Sequence, residues 1–160
     1  MEREIVIRAR QLTRRFGALV AVDHLDLEVR RGEIFGLLGP NGSGKSTTIK
    51  MLTTLLPPSE GTAEVDGCDV VRQAAHVRHR IGYVPQALSA DGGLTADENL
   101  QLSAKLYGLP RRVRRERIAE VLRRLGLQGS ADRLVSTFSG GMIRRLELAQ
   151  AMLHRPAVLF

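Results

Sequence analysis

The sequence predicts an α/β fold arranged around a phosphate-cradling turn, and three observations lead there. A short, nearly all-apolar run, IFGLLG (Ile34–Gly39), passes into a glycine-rich turn and then into a helical pattern. Upstream, Ile5 and Ile7, then Leu25, Leu27 and Val29, alternate with polar residues as half-buried antiparallel or edge strands do. Downstream, residues from about Gln86 to His154 carry helical periodicity, and ends on the apolar stretch Ala157–Phe160. Strands, a turn, a helix-rich insertion and a strand again make an α/β core, 1–85 with 155–160, and a helical subdomain, 86–154.

Each element has its own signal. IFGLLG suits a strand buried on both faces. The helix after the turn, Ser46 to Leu56, stops before Pro57 and Pro58. TAEVDG reads as strand and turn, and IGYVP (Ile81–Pro85) as a short buried strand. Thr95 and Glu98 have the spacing of a capping box that opens a helix to about Tyr107. A second helix places Val113, Ile118, Val121, Leu122 and Leu125 on one face, and Ser139 opens a third that runs to about His154. Ala157–Phe160 starts like a buried strand.

Composition narrows the classes. The chain has 160 residues, 43% hydrophobic and 26% charged, which is ordinary for a globular domain with a sizeable core. No apolar run approaches the ~20 residues that span a bilayer, and the opening MEREIVIRAR does not read as a secretory signal. Cys68 is the single cysteine, so no intrachain disulfide forms, and it reads as a small packed residue. The net charge of +7 permits an acidic partner, but few aromatics (4%) stand ready to stack on bases, so nucleic acid is not expected. His24, His76 and His79 share no ligand spacing with Cys68, so zinc is not expected either. Arg111, Arg112, Arg114, Arg115, Arg117, Arg123 and Arg124 fall mostly on the polar face of the second helix. A solvated face is the leading reading, and contact with a membrane partner or anionic headgroups the sharper one.

The chemistry centres on GPNGSGKST: Gly39, Pro40, Asn41, Gly42, Ser43, Gly44, Lys45, Ser46 and Thr47. It satisfies G-x-x-x-x-G-K-[ST], with a strand-like run before it and a helix after it. Backbone N–H groups of such a loop wrap phosphates, glycines permit the close approach, and the helix N-terminus adds its dipole. Lys45 supplies a point charge to the β- and γ-phosphates of a nucleoside triphosphate, and Ser46 a hydroxyl to Mg²⁺.

A second stretch, FSGGMIRRLELAQAM (Phe138–Met152), puts Gly140 and Gly141 in the first turn of a helix, where glycine costs stability. With GPNGSGKST it resembles the ATP-binding subunits of ABC transporters, whose signature is usually written LSGGQ. The likeness extends over essentially the whole chain. The fold it implies is a P-loop NTPase core with N-terminal antiparallel strands and a helical signature subdomain. The resemblance further implies that Phe16, in RRFGALVAV, stacks on adenine, with a packed strand-end phenylalanine as the alternative. It implies that Gln86, in IGYVPQ, senses Mg²⁺ and the attacking water. It also implies that Ser139, Gly140 and Gly141 cap the γ-phosphate held by a partner in a head-to-tail dimer. SGGM and LYGLPRRVRRERIAEVLRRLGL resemble the daunorubicin-type drug-resistance exporters. The expected setting is the cytoplasmic face of a membrane, with a separate integral permease docking around Gln86–Tyr107.

Two departures stand out. In the family, the strand starting at AVLF runs on to an Asp and a Glu that serve Mg²⁺ and water; neither is among these residues, so a fragment or a cut gene that hydrolyses ATP poorly is expected. His154 precedes that strand and reads as an ordinary helix C-terminal residue. Met142 replaces the usual glutamine, and packing is favoured for it over a nucleotide contact. The competing readings are a soluble ABC-type ATPase acting on ribosomes or DNA, and a nucleotide-binding module without turnover.

Overall fold

A computed structural model describes residues 4–160; the first three residues of the N-terminal stretch that reads as no secretory signal lie outside it. The chain divides into two compact units, one running to Ile81 and taking in Phe160, the other Gly82–Leu159.

The first unit is a four-stranded antiparallel sheet with helices. β1 (Ile5–Phe16) and β2 (Leu19–Arg30) form a hairpin, β3 (Glu60–Val65) pairs with the other edge of β1, and β4 (Cys68–Asp69) with β3, giving the order β2-β1-β3-β4. The expected alternation holds in β2, where Leu25, Leu27 and Val29 turn inward between exposed neighbours. α1 (Lys45–Leu52) packs on β2 and β3. It ends four residues short of Leu56: the side chain of Thr53 bonds the Ile49 carbonyl, and Thr54 enters the left-handed region (φ 63). α2 (Ala74–Arg80), which the sequence did not announce, buries only Val77.

IFGLLG is not a strand. Ile34 is fully exposed (101%) and Leu38 nearly so (91%). An apolar run becomes a buried strand only where neighbouring strands satisfy its backbone and helices cover its faces. Among the described residues no strand pairs with it.

The second unit is mostly helical. It begins at Gly82, the second residue of β5 (Ile81–Gly82), and ends in β6 (Val158–Leu159), the strand that pairs with β5. Both are shorter than expected, and Leu159 is exposed rather than buried, for the same want of flanking strands. α3 (Ala96–Leu106) opens with the expected capping box: the Thr95 hydroxyl accepts from the Glu98 N–H, and the Glu98 carboxylate accepts from the Thr95 N–H. α4 (Arg111–Arg124) and α5 (Gly140–Met152) follow, and the three helices enclose a core that includes Leu100, Ile118, Leu122, Leu146 and Leu153. Arg111, Arg112, Arg115, Arg123 and Arg124 are exposed, as the polar-face reading requires. Glu120 gathers Arg117, Arg124 and Arg155 at 2.7–3.3 Å.

Candidate functional site: two glycine-bearing helix N-termini

The loop Gly39–Gly44 leads straight into α1. Gly44 stands at the N-cap with φ 85 and no side-chain cap bond, so the first N–H groups of α1 are left for another acceptor. A Cβ on Gly44 would lie 2.4 Å from the Ala21 carbonyl oxygen and 3.1 Å from Val22 Cγ2. Both the φ angle and the close approach of β2 therefore demand glycine. Lys45 folds back over the loop, where its Nζ donates to the carbonyls of Gly39 (2.7 Å) and Pro40 (2.6 Å). That ammonium is held above the loop by neutral acceptors, which phosphate oxygens can replace with charge-assisted bonds. Ser46 and Thr47 occupy the first turn, Ser46 exposed. A cavity of about 480 Å³ opens beside the loop, lined in part by Val20, Val22, Leu38, Ser43 and Lys45. That size suits a small-molecule ligand.

Phe16 lies at the tip of the β1–β2 hairpin, 46% exposed and outside the cavity wall. The guanidinium of Arg14 sits over its ring, 4.7 Å from the centroid. It is therefore not a packed strand-end residue.

In the second unit, Ser139 is the N-cap of α5 and its hydroxyl accepts from the Met142 N–H at 3.3 Å. Gly140 and Gly141 are exposed, and a Cβ on either would meet nothing within 4 Å. Phe138, just before the cap, is buried. Met142 is half-buried and packs against the helical core, as favoured for it. His154 lies just past the end of α5, stacked on Tyr107 with ring centroids 3.8 Å apart. Burial pushes the Tyr107 phenol above its usual range.

Gln86 is exposed in the turn after β5. Two residues that sequence reasoning missed hold that turn. Arg144 Nη1 donates to the Pro85 carbonyl and, at 3.1 Å, to Glu147 Oε2. Glu147 Oε1 accepts from the Ser89 N–H and, at 3.0 Å, from the Ser89 hydroxyl. The Glu147 side chain is 1% exposed. Burial pushes its carboxyl up, and the bonds from Ser89 and Arg144 outweigh that and hold it below the usual range. The available signal was an acid between two leucines, three residues after an arginine.

A phosphate-type loop between an antiparallel sheet and a helix, joined in one chain to a glycine-opened helix in a helical unit, defines a nucleotide-binding domain of the ABC class. The family model for ABC transporters matches residues 22–160, and the chain belongs to that family. It is 50% identical over 140 residues to the daunorubicin/doxorubicin resistance ATP-binding protein DrrA of Streptomyces peucetius, covering 88% of this chain and 42% of that one. It is 40% identical over 154 residues to the linearmycin resistance ATP-binding protein LnrL of Bacillus subtilis (strain 168), covering 96% and 50%. A solved ATP-binding subunit of an ABC transporter superposes with a TM-score of 0.85 at 28% identity, covering 96% of this chain and 64% of that one. The chain thus spans half or less of the length of the curated relatives, between 27% and 50%. Those relatives bear out the drug-resistance subgroup.

Proposed function

We propose that this chain binds Mg-ATP at Gly39–Thr47 and serves as the ATP-binding subunit of an exporter, coupling binding and hydrolysis to efflux of a drug or lipid-like substrate through a separate permease. The observation that carries the reading is the Lys45 ammonium poised over a glycine-dependent loop, beside a cavity of about 480 Å³. The residues present fit a polyphosphate: a cation, bare helix N–H groups and a loop with no room for a side chain at Gly44. A hydroxyl for Mg²⁺ stands at Ser46 in the first turn of α1, and Gln86 is the further ligand that the family likeness implies.

In this reading 1–85 with 155–160 is the nucleotide-binding core and 86–154 the helical subdomain. Phe16 offers its ring to adenine, and Lys45 and Gln86 serve catalysis. Ser139, Gly140 and Gly141 meet the γ-phosphate held by a second copy in a head-to-tail dimer. That α5 tolerates a Cβ at both glycines supports a reason for them outside the chain's own packing. The permease docks at the helical unit from the cytoplasmic face. A cavity of about 320 Å³ lined by Tyr83, Leu106 and Tyr107, with Leu106 78% exposed, supports that location. Among the described residues no helix is long and apolar enough to cross a membrane. Residues 1–160 alone are expected to hydrolyse ATP slowly, since the Asp and Glu the family uses are not among them.

The test is titration with a fluorescent ATP analogue, with and without Mg²⁺, alongside phosphate release. Saturable binding lost in Lys45→Ala supports the proposal. Binding that Lys45→Ala leaves intact overturns it.

A further inference from the structure

We infer that Arg144 and Glu147 are a positioning pair that locks the turn carrying Gln86 onto α5, the helix that Ser139 caps. The two side chains rise from one face of α5 at i and i+3 spacing, and between them they take hold of the chain on both sides of Gln86. Arg144 holds the carbonyl of Pro85, the residue before it; Glu147 holds the amide and hydroxyl of Ser89, three residues after. The Arg144–Glu147 bond at 3.1 Å ties the two grips together. Gln86 itself remains exposed, so its side chain stays free for a ligand while its backbone is fixed.

The cost of the arrangement argues for its purpose. A carboxylate on the buried face of α5, 1% exposed, loses most of its hydration. The core of this unit could have been closed by a leucine at that place. What the carboxylate adds is an acceptor on each oxygen, one for the turn and one for Arg144. A leucine would give up both bonds to Ser89 and leave the turn untethered. Arg144 is 43% exposed, so it reaches the Pro85 carbonyl from the rim rather than from the core. The consequence is mechanical. Displacement of the Gln86 turn pulls on α5, and movement of α5 re-aims Gln86. The functional part of this inference rests on the proposed role of Gln86 at Mg²⁺; the lock itself does not.

Hydrogen exchange on this chain, with no nucleotide present, tests the lock. In Glu147→Gln the amide NH₂ must face either Ser89 or Arg144, so one donor loses its acceptor. Exchange of the Ser89 amide is expected to rise about tenfold or more, the loss of a charge-assisted bond, while α3 keeps its protection. Arg144→Gln, at a rim position, is the second variant and is expected to loosen the same turn. Unchanged exchange at Ser89 in both variants overturns the lock.

The positioning role is read from the ratio of ATP-analogue affinities with and without Mg²⁺. Glu147→Gln is expected to shrink that ratio about as much as Gln86→Ala does and to leave the Mg²⁺-free affinity alone, which a general loss of stability would not do. A ratio that falls in Gln86→Ala but stays whole in Glu147→Gln overturns the positioning role. A ratio unmoved by Gln86→Ala overturns the reading of Gln86 instead, and the exchange result then decides the lock on its own.

Discussion

Two helices of this chain begin with glycine, and the two glycine sites are opposites. At α1, Gly44 is compelled from within: its φ of 85 is left-handed, and β2 passes so close that a Cβ would lie 2.4 Å from the Ala21 carbonyl oxygen. At α5, Gly140 and Gly141 have no such constraint, for neither takes a left-handed φ and each faces open space. One glycine holds the chain's own architecture together. The other two give up helix propensity for nothing the chain itself receives. A feature with a cost and no internal return supports the proposed ATP site shared with a second copy.

The comparison breaks most sharply at the first site. Gly44→Ala should cost about 3 kcal/mol of stability, combining left-handed strain with the overlap against β2. Chemical denaturation reads this directly, and a loss below ~1 kcal/mol would mean the loop shifts freely and Gly44 is not compelled. Lys45→Ala should leave stability within ~0.5 kcal/mol, because its bonds run to loop carbonyls that water can serve, yet weaken ATP-analogue binding about a hundredfold, ~2.7 kcal/mol. Calorimetric titration beside a melting curve separates the two effects.

At the second unit, the buried Glu147 adds a dependence on pH. Its carboxyl is held below the usual range, so the folded state binds a proton there less readily than the unfolded chain does. The stabilisation is complete above the ordinary glutamate pKa of ~4.3 and drains away as pH falls through that value toward the lower folded one. Glu147→Gln should therefore be less stable than the parent by about 1–2 kcal/mol at neutral pH, and the gap should narrow below about pH 4. Urea midpoints at several pH values check the sign; a gap that widens in acid would refute it.

How far the sequence could be read follows the same division between internal and external causes. The capping box at Thr95 and Glu98, the phosphate loop and the three long helices were legible because each is specified by neighbours in sequence. IFGLLG was misread because its apolar pattern states what the segment would bury, not whether strands stand beside it. α2 escaped notice because two turns with Val77 as the single buried residue leave no period to detect. Glu147 could not be assigned a role, because its partner Ser89 lies 58 positions away and nothing local distinguishes a buried acid from an exposed one. The places of Phe16, Gln86 and Ser139 were foreseen only through the family likeness; composition and periodicity are silent about them.

Ser139→Ala removes an N-cap acceptor and should cost about 1 kcal/mol, with ATP-analogue affinity of the single chain unchanged.

The smallest effect is the most informative, because its sign is unusual. Gly141→Ala places a methyl group in open space on a helical backbone, so α5 should gain roughly 0.5 kcal/mol, less than the ~1 kcal/mol of a helix interior since the site is in the first turn. A rise in melting temperature is the expected reading. If the glycine is there for a partner's phosphate, the same variant should show weaker ATP-dependent self-association in sedimentation. Stability and association would then move in opposite directions under one added methyl group. A variant that is both more stable and equally able to associate would leave the two glycines without an outside cause, and the contrast between the two helix ends would be one of backbone geometry alone.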